Sequence, residues 1–426
     1  MAYSMIPLAE GQDGGTLADR LAAALAGVPG RLALAEALHR LGCPAEAAAL
    51  YRLLLRDNPG EARALVGLGR LPEAPPGDPD PAALVATAEA LARTAPPEEA
   101  EPAWRGVLAL CPQDVTARMA LGHLLRRGGR AAEAMTQFEA AARGAPDADW
   151  AAMALGDTLR ELGRLADAEP IYRQLLRRQP GYHAALAALG ETRRLLGDLA
   201  EARTLFARLL AAAPQHPGGL LGLAEISLAE GDAAAAAAGF QAVLAVAPDH
   251  LGGIMGCGYA AMALGDPATA RPHFARAVAA APRAVWARLA LAAAERALGE
   301  HAAAAETYRS ALAAEPGSVP ARLGLIAALQ DAGELAAALE LARQAKRDTP
   351  AEPRFLLALG RCARLAGDRE AARAAFRVAA ERLPEDPQPL VEAAVEERAL
   401  DAPAKALALL QRALAIDPAH VPALEH

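Results

Sequence analysis

The chain has almost no lysine. Lys346 and Lys405 are the only two among 43 basic residues, and arginine supplies the rest. Genome base composition accounts for that imbalance as readily as function does. Aromatic residues make up 4% of a chain that is 54% apolar. Alanine fills much of the difference, and alanine is the best helix former. There is no period-two alternation and there are few β-branched runs, so no strand is expected. The formal net charge is −8 and the pI about 5.7, which argues against a general nucleic-acid scaffold.

Four cysteines are present: Cys43, Cys111, Cys257 and Cys362. Their spacing fits neither a zinc site nor a small disulfide framework, and reduced packing cysteines are expected. No apolar run is long enough to span a membrane. The first ten residues have no basic region and no apolar core of a signal peptide, so a cytoplasmic protein is expected. His-Glu-x-x-His, a phosphate loop, Gly-x-Ser-x-Gly and Cys-x-x-Cys are all missing, so neither catalysis nor a cofactor is expected. The nine histidines are dispersed, and His216, His250 and His420 fall in recurring turns.

Against these absences stands one strict rhythm. Ten prolines recur every 34 residues: Pro112, Pro146, Pro180, Pro214, Pro248, Pro282, Pro316, Pro350, Pro384 and Pro418. A fixed period in this range marks stacked supersecondary units that cannot bury their apolar faces alone. With each proline set as position 32, position 20 is always alanine, from Ala100 to Ala406. Position 8 is small, as at Gly122, Gly156 and Gly190. Position 24 is usually a ring, as at Trp104, Phe138, Tyr172 and Phe206. Position 15 is glycine from Gly129 to Gly367, which predicts a helix end with positive φ. Acidic residues such as Asp198, Asp232 and Asp368 follow it, where a second helix would begin. The proline then stops that helix.

This pattern resembles the tetratricopeptide repeat (TPR) family, which has small residues at 8 and 20, a ring at 24 and proline at 32. The family's tryptophan at 4 and tyrosine at 11 are absent here. The resemblance implies an all-α, right-handed solenoid of antiparallel helix pairs. Residues 1–27 read as a leader with a capping helix. Residues 28–80 hold a first repeat, a half-repeat (Ala62 to Leu71) and a proline-rich linker. The half-repeat reads as a unit whose second helix became a linker, with a flexible joint as the alternative. Residues 81–420 give ten contiguous units, and residues 421–426 look like the end of a cut fragment with tag residues.

The resemblance implies that positions 2, 5, 9 and 12 of the first helices line a partner-binding groove. The candidate residues are Arg126, Asp157, Arg160, Glu191, Arg194, Leu228, Met255, Tyr259, Met262, Trp286 and Arg296. The arginines read either as solvated charges, paired as Asp157–Arg160 and Glu191–Arg194, or as a ladder for an acidic partner. Around Gly218, Gly222, Gly253, Gly256 and Gly258 the face is apolar. There the glycines read either as close helix packing or as a shallow pocket, with Tyr259 and Trp286 as anchors. The family's lysine–asparagine carboxylate clamp and its asparagine ladder are not encoded. The expected role is a non-catalytic scaffold for protein or peptide segments. The alternative is the substrate-recruiting part of a larger glycosyltransferase- or sulfotransferase-type enzyme, and a third reading is self-association.

Overall fold

The computed structural model describes residues 32, 35, 36, 39, 44–58, 60–71, 81–94 and 97–425. The leader (1–27), Cys43, most of the proline cluster after Pro72, and His426 lie outside these. Twenty-three helices and no strands occur among the described residues. The chain divides into two compact units, Met1–Ala212 and Ala213–His426.

The repeat chemistry is the same in each unit. A first helix such as Asp149–Glu161 or Leu251–Ala263 is followed by a second, Leu165–Arg178 or Pro267–Ala280. The turn between them is closed by backbone bonds. Beyond Asp149–Glu161, Gly163 N–H donates to Arg160 C=O and Arg164 N–H to Leu159 C=O, at 3.0 and 2.9 Å. This is a Schellman closure, and it requires the left-handed backbone at Gly163 (φ 73°). Gly129, Gly197, Gly231, Gly265, Gly299, Gly333 and Gly367 share that sign. In the last repeat Asp401 occupies the same place at φ 61° and makes the same two bonds. A side chain there is strained, so Asp401→Gly should stabilise the last helix pair by up to about 1 kcal/mol. Slower amide exchange in Pro403–Ile416 would show it; unchanged exchange would mean that Asp401 has local compensation.

The second helices start on side-chain caps. Asp198, Asp232, Asp266 and Asp368 accept from the backbone N–H three residues on, at 2.9–3.1 Å. Two of the turn histidines do the same for first helices. His216 Nδ1 accepts from Gly219 N–H and His250 Nδ1 from Gly253 N–H, at 3.4 and 3.2 Å. The second helices end two residues before the proline, as at Arg178, Gln179 and Pro180, because the residue before proline avoids helical φ/ψ.

The arginine bias has a structural use at these turns. Arg118 and Arg322 donate to the carbonyls of Pro112 and Pro316, and Arg178 and Arg208 to those of Pro146 and Pro180. Arg276, Arg288 and Arg382 take the carbonyls of Pro248, Pro282 and Pro350. A planar fork can hold a carbonyl and a neighbouring acid at once, as Arg178 does with Asp149 at 3.3 Å.

The ring at position 24 sits over small residues of its own repeat or of the next. A Cβ added at Gly156 would stand 2.7 Å from the Tyr172 ring, and one at Gly190 would stand 2.7 Å from Phe206. Tyr308 is met by Gly324 of the following repeat, at 2.3 Å. The central glycines are used in the same way. A Cβ at Gly256 would meet Phe240 at 2.2 Å, one at Gly258 would meet Phe274 at 2.4 Å, and one at Gly253 would meet Leu244 at 2.9 Å. The molecule's own side chains therefore fill the space that these three glycines open.

The half-repeat helix Ala62–Gly69 lies directly against Pro97–Leu110. A Cβ on Gly69 would come 1.5 Å from the carbonyl oxygen of Pro102, and one on Gly106 would come 2.4 Å from that of Leu65. Leu65 and Leu68 share one buried cluster with Ala103, Trp104 and Val107. The sequence assigns Pro97–Leu110 to the repeat that starts at Pro81. In the structure it also stands beside Ala62–Gly69, where a repeat's second helix stands beside its first.

At the C-terminal end, the helix Gln388–Ala399 buries Glu392, Glu396 and Glu397, which meet arginines of the preceding repeat. Val421–Glu425 is helical, and its Ala423 is buried with Leu390 and Val391.

Candidate partner-binding face

In the first unit, the helices Val115–Arg127, Asp149–Glu161 and His183–Leu195 carry the candidate charges. The pairs expected within one helix form once of twice. Arg194 makes two hydrogen bonds to Glu191, at 2.8 and 2.7 Å. Asp157 instead accepts the Tyr172 hydroxyl at 2.9 Å. Burial, reinforced by the Asp157 charge, pushes the Tyr172 phenol well above its ordinary pKa, so it stays a donor. Arg160 lies beside that phenol, and its Nε is buried without a hydrogen-bond partner. Arg126 pairs across repeats with Glu161 at 3.7 Å. His123 stacks edge-on against Phe138 with centroids 5.0 Å apart. Burial and then the charges of Arg126 and Arg127 lower its pKa, so it adds no cation near neutral pH. Trp150, at position 2, is 50% exposed. Sequence reasoning passed over it, although it occupies the same repeat position as Trp286.

The second unit presents a different surface. Leu221 and Leu228 of Pro217–Ala229 are half-buried, as is Met262 of Leu251–Ala263. Met255 is 6% exposed and belongs to the core. Tyr259 and Trp286 are 45% and 46% exposed. Tyr259 is braced edge-on by Phe274, with centroids 5.3 Å apart, and burial of its inner side raises the pKa of its phenol. Leu289, Leu323 and Ala327 continue the apolar face at positions 5, 5 and 9. Arg296 is held by Asp331 at 3.2 Å, again across repeats.

The two faces thus differ in chemistry. The first combines an exposed indole with guanidinium groups, several of them committed to neighbouring acids. The second is apolar around two exposed rings. Among the described residues no cluster of three or more metal-ligating side chains occurs, and no helix is long and apolar enough to cross a membrane.

Tetratricopeptide repeat family profiles match residues 85–149, 153–217 and 258–319, further stretches at 193–252 and 295–362, and two shorter ones at 28–52 and 355–386. Together with the helix-pair geometry, this coverage places the chain in the tetratricopeptide repeat family. No curated protein matches. Among solved structures, a tetratricopeptide repeat protein from Parabacteroides merdae is 17% identical, with a TM-score of 0.51. That match covers 58% of this chain and 98% of the other. One chain of the crystal structure of the APC/C hetero-tetramer Cut9-Hcn1 aligns over 96% of this chain and 97% of its own, at 13% identity and a TM-score of 0.45. At 17% identity the likeness to the Parabacteroides merdae protein speaks to fold alone.

Proposed function

We propose that this chain is a non-catalytic scaffold that binds protein or peptide segments along the first-helix face of its repeats. The observation that carries the reading is the exposure of Trp150, Tyr259 and Trp286 on that face. Large rings elsewhere in the repeats, such as Phe138, Tyr172 and Phe240, are buried. Aromatic side chains held rigid at an accessible surface are the usual anchors of protein interfaces. Arg160, which makes no ion pair among the described residues while Arg126 and Arg194 are held by Glu161 and Glu191, adds a donor for a carboxylate on that face.

A peptide array probed with the purified protein tests this. Peptides that bind the first face should lose about tenfold or more in affinity with Trp150→Ala and Arg160→Ala combined. Those that bind the second face should lose as much with Tyr259→Ala and Trp286→Ala. Helicity should be unchanged in both variants. Selected peptides that ignore both pairs would place binding elsewhere on the repeats and defeat the proposal.

A further inference from the structure

Among the described residues, three first helices are capped by the side chain of the residue just before them, and two of these caps are imidazoles. Asp114 accepts from Ala117 N–H at 2.7 Å, while His216 and His250 accept at Nδ1 from Gly219 and Gly253. The same four-residue pattern, His-x-Gly-Gly, makes both imidazole caps in consecutive repeats. A Cβ on Gly218 or Gly252 would stand 3.3 or 3.2 Å from the imidazole Cε1, so glycine gives the ring its room. The third turn histidine shows the contrast. His420 is followed by Val421, Pro422 and Ala423, and its Nδ1 is buried without a hydrogen-bond partner. An imidazole accepts at Nδ1 only while that nitrogen is unprotonated, which puts its single proton on Nε2. When the ring takes a second proton, the acceptor becomes a donor aimed at a backbone N–H, and a cation stands at the positive end of a helix. A carboxylate cap keeps accepting through the same pH range. These two helices also lean on their caps. Pro217–Ala229 holds Gly218, Gly219 and Gly222, Leu251–Ala263 holds Gly252, Gly253, Gly256 and Gly258, and glycine is a poor helix former.

We infer that His216 and His250 form a pH-operated latch on the two adjacent first helices that carry Leu221, Leu228, Tyr259 and Met262. At neutral pH both helices are capped. In acid both caps are lost and the first turns fray, because the proton binds better to the uncapped state. The stabilisation is complete at higher pH and falls as the imidazoles charge. Gly219 N–H also reaches the His216 carbonyl at 3.0 Å, so the larger effect is expected at His250. The ionisable groups of the surrounding elements are few. Beside His250, Asp249 is bonded by Arg276 of Pro267–Ala280 at 3.1 Å, and His273 lies on that same helix. Ala233–Val246 carries no ionisable side chain, Pro217–Ala229 carries Glu225, and Leu251–Ala263 carries Cys257 and Tyr259. Near His216, Arg208 of Leu199–Ala212 holds the Pro180 carbonyl, and His183 begins the neighbouring first helix. The consequence for a partner rests on the scaffold reading above: a segment held on Tyr259 and Leu221 is released in acid.

The test is hydrogen exchange of the full chain at about pH 7.5 and about pH 5.2, corrected for the intrinsic rate at each pH. Amides in the first turns of Pro217–Ala229 and Leu251–Ala263 should open about fivefold to tenfold more readily in acid, most of all in Leu251–Ala263. The starts of Ala233–Val246 and Pro267–Ala280, capped by Asp232 and Asp266, should not change. Asparagine caps a helix but does not titrate, so His216→Asn with His250→Asn should fold and lose the acid response. A loosening that includes the Asp-capped helices, an acid response that persists in the asparagine variant, or no response in the parent would each overturn the inference. A peptide selected from the array for the second face, titrated at the same two pH values, keeps the latch apart from the scaffold reading. It should bind the parent about tenfold more weakly in acid and bind the asparagine variant alike at both. If exchange responds and peptide binding does not, the latch stands and the scaffold reading of this face is wrong.

Discussion

Glu396→Ala should undo the docking of the last repeat. The carboxylate is fully buried and takes a hydrogen bond from Arg364, with Arg369 at 3.6 Å from its Oε2. Around it, Arg364 reaches Glu392 at 2.7 Å, Arg361 reaches Glu392 at 3.0 Å, and Arg373 stands 3.8 Å from Glu397. Arg364 also lies over the Phe376 ring at 4.9 Å. Charges thus add at this interface to the packing of Phe376 and Ala372 with Ala393 that the ring and alanine positions supply. Removing one member of a buried pair typically costs about 3–5 kcal/mol, because the partner is left desolvated. The low end is expected here, since Arg364 keeps some water and still has Glu392. Amide exchange should accelerate through Gln388–Ala399 and Pro403–Ile416 and stay unchanged near Asp149–Glu161, because solenoid repeats couple mainly to their neighbours. Replacing Arg364 by Met together with Glu396 by Leu should cost much less than the sum of the singles. A Glu396→Ala protein with normal exchange at its C-terminal end would show that the ion cluster does not hold the repeat.

Acid should act on the same contact. Burial pushes the Glu392 carboxyl up, but Arg364 and Arg361 outweigh it and hold the carboxyl below its ordinary range. A depressed folded pKa means stabilisation that is complete above the unfolded value, about 4.3, and is lost as pH falls through the folded one. The last repeat should therefore loosen below about pH 4, with no effect of pH on this contact between about 6 and 8.

The fold was legible because it is periodic. Proline at 32 and glycine at 15 act through the local backbone, so one repeat predicts the next. The candidate face was legible only in part, because its chemistry is settled across repeats. Arg126 and Arg296 read as rungs of a ladder, yet each is bound by an acid of the following repeat, Glu161 and Asp331. Asp157 and Arg160 have the same spacing as Glu191 and Arg194, but the Tyr172 hydroxyl competes for Asp157, and Phe206 has no such group. The arginine forks on proline carbonyls start from three repeat positions, 4, 26 and 30, as Arg118, Arg208 and Arg178 show, so no single column of the repeat displays them all. Nothing within their own helix marks Glu392, Glu396 and Glu397 as buried residues. Only the arginines of the preceding repeat make their burial tolerable.

Gly69→Ala should be among the most damaging single-methyl additions in the chain. At the turn glycines, such as Gly163, the added carbon meets nothing within 4 Å, and the cost is the left-handed backbone alone, about 1–2 kcal/mol. Where a ring faces the glycine, as Tyr172 faces Gly156, the side chain can shift to make room. At Gly69 the obstacle is backbone: the carbonyl oxygen of Pro102 at 1.5 Å and the nitrogen of Gly106 at 2.7 Å. Neither can move without displacing the whole helix Pro97–Leu110. Overpacking costs about 1–3 kcal/mol where neighbours yield and more where they do not. The two helices must then part, exposing Leu65, Leu68 and Trp104, which are now buried. The expected signs are a red-shifted Trp104 emission in a protein whose Trp150 and Trp286 have been changed to Phe, and early proteolysis between Leu71 and Pro81. In the parent protein that cut should be slow to release the preceding block, because Ala62–Gly69 stays clamped to Pro97–Leu110. If Gly69→Ala left Trp104 emission unchanged, the close approach of these helices would be wrong. The half-repeat would then be a free joint between its neighbours.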